Sequence, residues 1–271
     1  MKKLFAKRFW ICTAILILSF ELFFPKEAKS AEEPVLAPVI SNNKVSVSYT
    51  QDTLDQGFTD WRMVSTAISN QFDFGSLIGR LNQAHRFDSD GNQFEIDSYP
   101  HLREGTYAYL NIGYSNDSIF PKYRFGAEIY QNLGQAWEAS LGFRKLIFQN
   151  STVTIWTGTV AKYIGNYYLV LRINTVPDEA GNSISYGPQV RRYFGDHDYV
   201  GISAGSGRSP TQVANDSRVL ILVSKRISLE AQFEIKPTWG LTASLGDSED
   251  EIREGVVRRD QSFSLGLEKT F

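Results

Sequence analysis

The chain has 271 residues, of which 42% are hydrophobic, 21% charged and 13% aromatic, with a formal net charge of −2. It holds one cysteine, Cys12, and three histidines, which excludes a disulfide framework and leaves no Cys/His set with metal-ligand spacing. After the first thirty residues no stretch approaches the 18 consecutive apolar residues of a transmembrane helix, and no basic surplus marks a nucleic-acid binder.

Residues 1–30 open with Lys2, Lys3, Lys7 and Arg8, continue in an apolar run from Phe9 to Phe20, and end on small residues at Ala28 and Ser30. This is the three-part layout of a secretory signal peptide, with cleavage expected between Ser30 and Ala31. A membrane anchor is the competing reading, but the run is short for ~30 Å of hydrocarbon and Glu21 interrupts it. Cleavage would remove Cys12 with six Lys/Arg and two Asp/Glu, leaving 22 basic against 28 acidic residues. An exported chain of this size without disulfides takes its stability from a large core or from a bilayer. Residues 31–43, with Pro34, Pro38 and no period, read as a flexible lead-in to a single domain over 44–271.

From residue 44 onward, segments of roughly ten residues alternate apolar and polar side chains, the pattern of a transmembrane antiparallel β-barrel. Strands are predicted over 44–53, 61–71, 76–88, 92–102, 105–115, 122–132, 135–147, 151–163, 166–175, 183–194, 198–206, 225–236, 239–247 and 258–271. That makes about fourteen; twelve is the alternative, because the first strand is weak and residues 207–224 obscure the count. An even number places both termini on the periplasmic side. In the sixth strand Tyr123, Phe125, Ala127 and Ile129 oppose Arg124, Gly126, Glu128 and Tyr130. In the seventh, Trp137, Ala139, Leu141 and Phe143 oppose Glu138, Ser140, Gly142 and Arg144. A soluble sandwich alternates in the same way, so the chain ends weigh in the choice.

Short connections at 133–135, 165 and 237–239 suit periplasmic turns. Longer polar ones at 54–60, 116–121, 177–182, 207–218 and 247–255 suit external loops, and "SDGN" at 89–92 has to be a short external hairpin turn. Trp61, Tyr99, Tyr123, Trp137, Tyr163, Tyr167, Tyr168, Tyr193, Phe194, Tyr199 and Trp239 fall near predicted strand ends, where interfacial girdles place such rings. The final segment, "SFSLGLEKTF", alternates up to an aromatic residue. Phe263, Leu265, Leu267 and Phe271 resemble the terminal recognition signal of Gram-negative outer-membrane barrels, read by the barrel-assembly machinery.

If the alternation holds, the face turned away from lipid carries Arg80, Arg86, Arg124, Arg144, Arg172 and Arg191 with Glu95, Asp97, Glu128, Glu138, Glu230, Glu234 and Glu268. Two readings follow. The charges form an ion-pair ladder that stiffens the barrel, with Arg124 and Glu128 meeting Glu138 and Arg144 on the next strand. Alternatively they line a hydrated, selective passage in which Arg forks and Tyr99, Tyr130 and Tyr168 bind sugar hydroxyls or anions. His85, His101 and His197 sit in no nucleophile motif, so no catalytic residues and no enzyme are expected. No cofactor site is expected. The acidic run at 247–255 suits a solvated loop or a divalent ion at the lipopolysaccharide surface, and "GSGRS" at 205–209 is not a phosphate loop.

The blocks "GSLIGRLNQAHRF", "GTYAYLNIGYSNDSIFPKYRFGAEIYQNLGQAWEASLGFRKL", "YIGNYYLVLR", "VRRYFGDHDYVGI" and "WGLTASLG" are similar to the YaiO family of outer-membrane β-barrels over most of residues 44–271. The resemblance implies the barrel fold and an outer-membrane location, with lipid and lipopolysaccharide as neighbours and polysaccharide as a partner to test. Three function classes remain open: a narrow channel or transport accessory for polar molecules, a structural or surface-binding barrel acting through loops 54–60, 115–121, 207–224 and 247–257, and an acyl-chain-modifying membrane enzyme.

Overall fold

The computed structural model describes residues 43–178, 181–194, 197–214 and 219–271. The signal segment, 1–30, and all but the last residue of the lead-in, 31–43, lie outside the described residues. Fourteen strands are present among those described: β1 Lys44–Leu54, β2 Trp61–Phe72, β3 Gly75–Arg86, β4 Ser89–Arg103, β5 Thr106–Tyr114, β6 Tyr123–Gly134, β7 Trp137–Ile147, β8 Thr152–Ile164, β9 Tyr167–Asp178, β10 Gly181–Phe194, β11 Asp198–Gln212, β12 Val219–Lys236, β13 Trp239–Arg253 and β14 Val256–Thr270. Each pairs antiparallel with its sequence neighbours, and β14 closes the barrel on β1 from Lys44↔Thr270 to Leu54↔Asp260. Closure leaves no edge strand and satisfies the backbone within the wall, which a bilayer demands.

The distribution of side chains decides between a soluble sandwich and a membrane barrel. Large apolar residues point outward and stay uncovered, as with Leu141 at 72% and Phe94 at 63% exposure. Many buried positions are polar: Glu95, Asp97, Glu128, Glu138 and Arg258 are all buried on the inner face. A soluble protein would reverse this arrangement; a barrel with lipid outside and a polar interior requires it.

Inward charges lie along the wall because the residue directly opposite on the next strand is repeatedly glycine. Arg124 faces Gly113, Arg144 faces Gly126, Glu128 faces Gly142, Glu230 faces Gly201, Arg226 faces Gly205 and Glu268 faces Gly240. A Cβ at Gly142 would stand 2.3 Å from the Ala127 carbonyl oxygen and 2.5 Å from Glu128 Cα. Backbone atoms cannot swing aside, so Gly142→Ala is expected to cost about 1–3 kcal/mol. Gly158→Ala, whose Cβ would have 3.6 Å to its nearest neighbour, is expected to stay within about 0.5 kcal/mol. Denaturant unfolding of the two variants in detergent, followed by tryptophan fluorescence, checks the contrast.

Several strands exceed the sequence expectation, and the external ends of β11 to β14 bear on the predicted loops. Residues 207–212 extend β11, 219–224 extend β12, 248–253 lengthen β13, and β14 starts at Val256. Gly207, Ser209 and Pro210 have turn chemistry, yet pairing overrides it: the β11–β12 register continues from Gly207↔Ser224 to Gln212↔Val219. The register with β10 ends at Gly207, and beyond it Pro210 occupies edge-like backbone where a missing donor is tolerated. The acidic run at 247–255 is therefore strand up to Arg253 with a turn at 254–255, and two of its acids are engaged across the hairpin: Asp247 pairs with Arg259, and Asp250 with Arg258 at 2.9 Å. The hairpin turn near residue 90 is Phe87 and Asp88, with φ of 52° and 56°, and residues 89–92 belong to β4.

Connections at the end carrying Lys44 and Thr270, at 73–74, 104–105, 135–136, 165–166 and 237–238, are short. The opposite end carries the longer ones, including 55–60 and 115–122. Short turns mark the periplasmic end and long loops the external end.

Candidate functional site

All thirteen charged residues assigned to the lumen occupy inward register positions. They are brought together as one hub and several separate pairs. At the hub, Arg80 reaches Glu95 at 3.8 Å and Asp97 at 3.2 Å, and Arg124 reaches Glu95 at 3.3 Å. Asn82 donates to Glu95 at 3.0 Å, Asn111 donates to both acids, and the Tyr109 hydroxyl donates to Asp97 at 3.0 Å. Elsewhere Arg144 meets Glu128 at 3.7 Å, Arg191 meets Glu230 at 2.7 Å, and Lys44 meets Glu268 at 3.0 Å.

The expected ladder among Arg124, Glu128, Glu138 and Arg144 forms only in part. Arg144 does meet Glu128, but Arg124 reaches across β5 to Glu95, over the vacant side of Gly113. Glu138 accepts from the Tyr107 hydroxyl at 3.3 Å. Arg172 donates to Thr159 at 3.3 Å. Arg86 lies over the rings of Trp61 and Phe120, and Glu234 stands exposed at the periplasmic end of β12. The assembly-signal candidates Phe263, Leu265 and Leu267 are exposed on the outer face of β14, and the exposed Phe271 donates its backbone N–H to the Asn43 carbonyl at 2.9 Å.

The aromatic girdle divides between the two faces. Tyr123, Trp137, Tyr167, Phe194 and Trp239 point outward, where Lys162 lies 4.4 Å from the Trp137 ring and Lys269 5.1 Å from that of Trp239. These cations place apolar stems against rings and their heads toward water. Trp61, Tyr99, Tyr163, Tyr168, Tyr193 and Tyr199 instead point into the lumen, a correction that follows from strand parity. Trp61 stands at the external end, and the five tyrosines with Tyr107, Tyr109 and Tyr130 make an inner tyrosine belt near the periplasmic end. Its ring centroids are 4.4 Å apart for Tyr163 and Tyr168, 4.6 Å for Tyr107 and Tyr130, and 5.2 Å for Tyr99 and Tyr109.

At the external end, loop 115–122 turns inward. Ile119 is 1% exposed and packs with Phe120 on Ala84, Met63 and Phe87. The loop is pinned by Asp117, which accepts from the Asn92 backbone at 2.7 Å, and by Ser115, whose hydroxyl donates to the Asn92 carbonyl at 2.6 Å. Gln212 of β11 donates to the Ser118 carbonyl at 3.1 Å. This contact bridges strands that are far apart around the barrel, so the segment is an inner constriction and not the free contact loop its polarity suggested.

Cavities lined by described residues lie inside. One of ≈ 980 Å³ lies between this loop and the charge hub, touching Phe120, Arg80 and Glu95. Another of ≈ 560 Å³ runs from the tyrosine belt along β10 and β11, and a third of ≈ 500 Å³ touches Trp61 and Arg258. The last two share Ser209, Ser224 and Arg226. Space exists on this side because the inner positions are small: Ser203, Gly205 and Gly207 on β11, Ser224 and Ser228 on β12, Ser244 and Gly246 on β13. Sequence reading overlooked this wall by following charges; the signal was serine and glycine at every second position.

A family model described as the YaiO membrane β-barrel domain matches residues 42–212, more than half of the chain. The chain belongs to the YaiO family. The rest of the YaiO barrel, β12 to β14, completes the same closed sheet. Comparison with curated proteins found no match. Among solved structures, the CymD monoaromatic hydrocarbon channel aligns with a TM-score of 0.56 at 7% identity, covering 85% of this chain and 88% of that one. A bacterial polysaccharide outer membrane secretin aligns at 0.56 and 6% identity, with 85% and 98% coverage. Omp33 of Acinetobacter baumannii aligns at 0.52 and 11% identity, with 85% and 99% coverage. At these identities the likeness shows a shared outer-membrane barrel fold. Among the described residues no His, Cys, Asp and Glu set could hold a metal ion.

Proposed function

We propose that this YaiO barrel is a narrow outer-membrane channel for small, hydroxyl-rich polar solutes, exported chain segments of a polysaccharide included. The observation that carries this reading is the pair of adjoining cavities, ≈ 560 and ≈ 500 Å³, between the tyrosine belt and the external end. Their serine and glycine wall presents hydroxyls and backbone to a passing solute, and Arg172, Arg191 and Arg226 add guanidinium donors along it, Arg191 held by Glu230. The neighbours named as a polysaccharide secretin and a hydrocarbon channel agree with a transport role for the fold and leave the solute to be settled by the lumen's own chemistry.

Liposome swelling with sugars of graded size tests this. The barrel should admit monosaccharides and disaccharides, and Ser203→Trp, which fills the ≈ 560 Å³ cavity, should slow their entry severalfold while the protein still shows heat-modifiable migration. Swelling no faster than protein-free liposomes for every sugar would reject the channel and favour a scaffold that acts through its external loops.

A further inference from the structure

The external end of the lumen holds buried polar atoms that no described residue satisfies. Arg258 is 2% exposed and gives one N–H to Asp250 at 2.9 Å, but its Nε and Nη1 have no acceptor. Trp61 Nε1, Arg86 Nε and Asp260 Oδ1 are likewise buried without a partner. The residues stand close together: the guanidinium carbons of Arg86 and Arg258 lie 5.3 and 5.4 Å from the Trp61 ring, and Arg258 also lies 5.2 Å from that of Phe58. An unsatisfied buried group costs about 1–3 kcal/mol, so five in one place indicate an exchangeable partner.

The chemistry of that partner follows from the inventory. Arg86 and Arg258 face Asp52, Asp250 and Asp260, one acid more than the two guanidinium groups, so an anion gains no net attraction, and among the described residues no set of acids is grouped to hold a metal ion. Unsatisfied donors and an unsatisfied carboxylate oxygen occur together, beside the apolar surface of Trp61 and Phe58. A ligand that donates, accepts and offers a C–H face satisfies all of these, and Trp61, Arg258 and Asp260 line the same ≈ 500 Å³ cavity with Ser224 and Ser262. That volume lies within the range of small-molecule sites. We propose that this cavity is a binding site for a neutral saccharide, held by hydrogen bonds to Arg258, Asp260 and the Trp61 indole at the external end of the lumen. The inference rests on the channel reading for placing a hydroxyl-rich solute there, and its test is independent of flux.

Calorimetric titration of the purified full-length barrel in detergent with maltose, cellobiose and sodium glucuronate decides it. A neutral disaccharide should bind saturably; Asp260→Asn and Trp61→Phe, which removes the indole donor and keeps a ring, should each weaken binding about tenfold, the scale of one buried hydrogen bond. Tyr163→Phe, at the far end of the lumen, should leave it unchanged. Heat-modifiable migration confirms folding of each variant, and if Asp260→Asn fails to fold, Trp61→Phe and Ser262→Ala decide. Absence of saturable binding by either neutral sugar, preference for glucuronate, or undiminished binding in the folded variants would overturn the site. Sugar flux without binding would overturn this inference and leave the channel standing; binding without flux would do the reverse.

Discussion

A barrel carrying Glu95→Ala is expected to lose about 2–4 kcal/mol of stability, whereas Arg124→Ala should lose under about 1 kcal/mol. The asymmetry comes from the hub's geometry. Glu95 has a side chain only 3% exposed and accepts from Asn82 and Asn111 while facing Arg80 and Arg124. Its removal leaves one of two arginines without an acid, since Arg80 keeps Asp97 at 3.2 Å. Two buried side-chain amides also lose an acceptor, although Asn111 retains its 2.6 Å bond to Asp97. Lumen water reaches both arginines, which are about a third exposed, and this holds the loss below that of a fully buried pair. Losing Arg124 is milder because Glu95 keeps Arg80 and both amides. Urea unfolding in detergent, monitored by fluorescence, should separate the two midpoints; coincident midpoints would show that Glu95 is not the node of the network.

Much of this architecture was legible because a barrel writes its two solvents into alternate residues. Glu128 and Ile129 cannot exchange sides without placing a carboxylate in lipid, so strand existence and parity followed from sequence. Turn chemistry misled where pairing overrode it: Gly207, Ser209 and Pro210 read as a loop, yet β12 supplies a continuous partner. The tyrosines near strand ends were ambiguous for another reason. An aromatic at the boundary suits either face, and only the register fixes Tyr163 and Tyr168 inside while Tyr167 stays outside. Ion-pair partners were the least legible feature. Sequence points to the adjacent strand, but Arg124 passes over Gly113 to a strand beyond it. Inward glycines were the available clue to where a long side chain can cross.

Replacing residues 116–121 with Asn-Gly, so that Ser115 and Lys122 close a two-residue hairpin, should raise single-channel conductance severalfold. The pair is already hydrogen-bonded, Ser115 N–H donating to the Lys122 carbonyl at 3.2 Å, and an Asn-Gly turn has the backbone twist such a closure needs. The deletion withdraws Ile119 and Phe120 from the lumen and removes the Ser118 carbonyl on which Gln212 rests. The ≈ 980 Å³ cavity beneath them then opens toward the external side. Stability should fall, because burying each of these side chains contributes about 1.5–3 kcal/mol. The closed sheet is built without them, so the variant should still insert and migrate as a folded barrel. Planar bilayer recordings of the two proteins provide the measurement. Higher conductance with unchanged preference between cations and anions would identify the loop as a steric constriction, consistent with its apolar tip. Unchanged conductance would move the narrowest point to the tyrosine belt, where Tyr163→Ala then becomes the variant expected to widen the route.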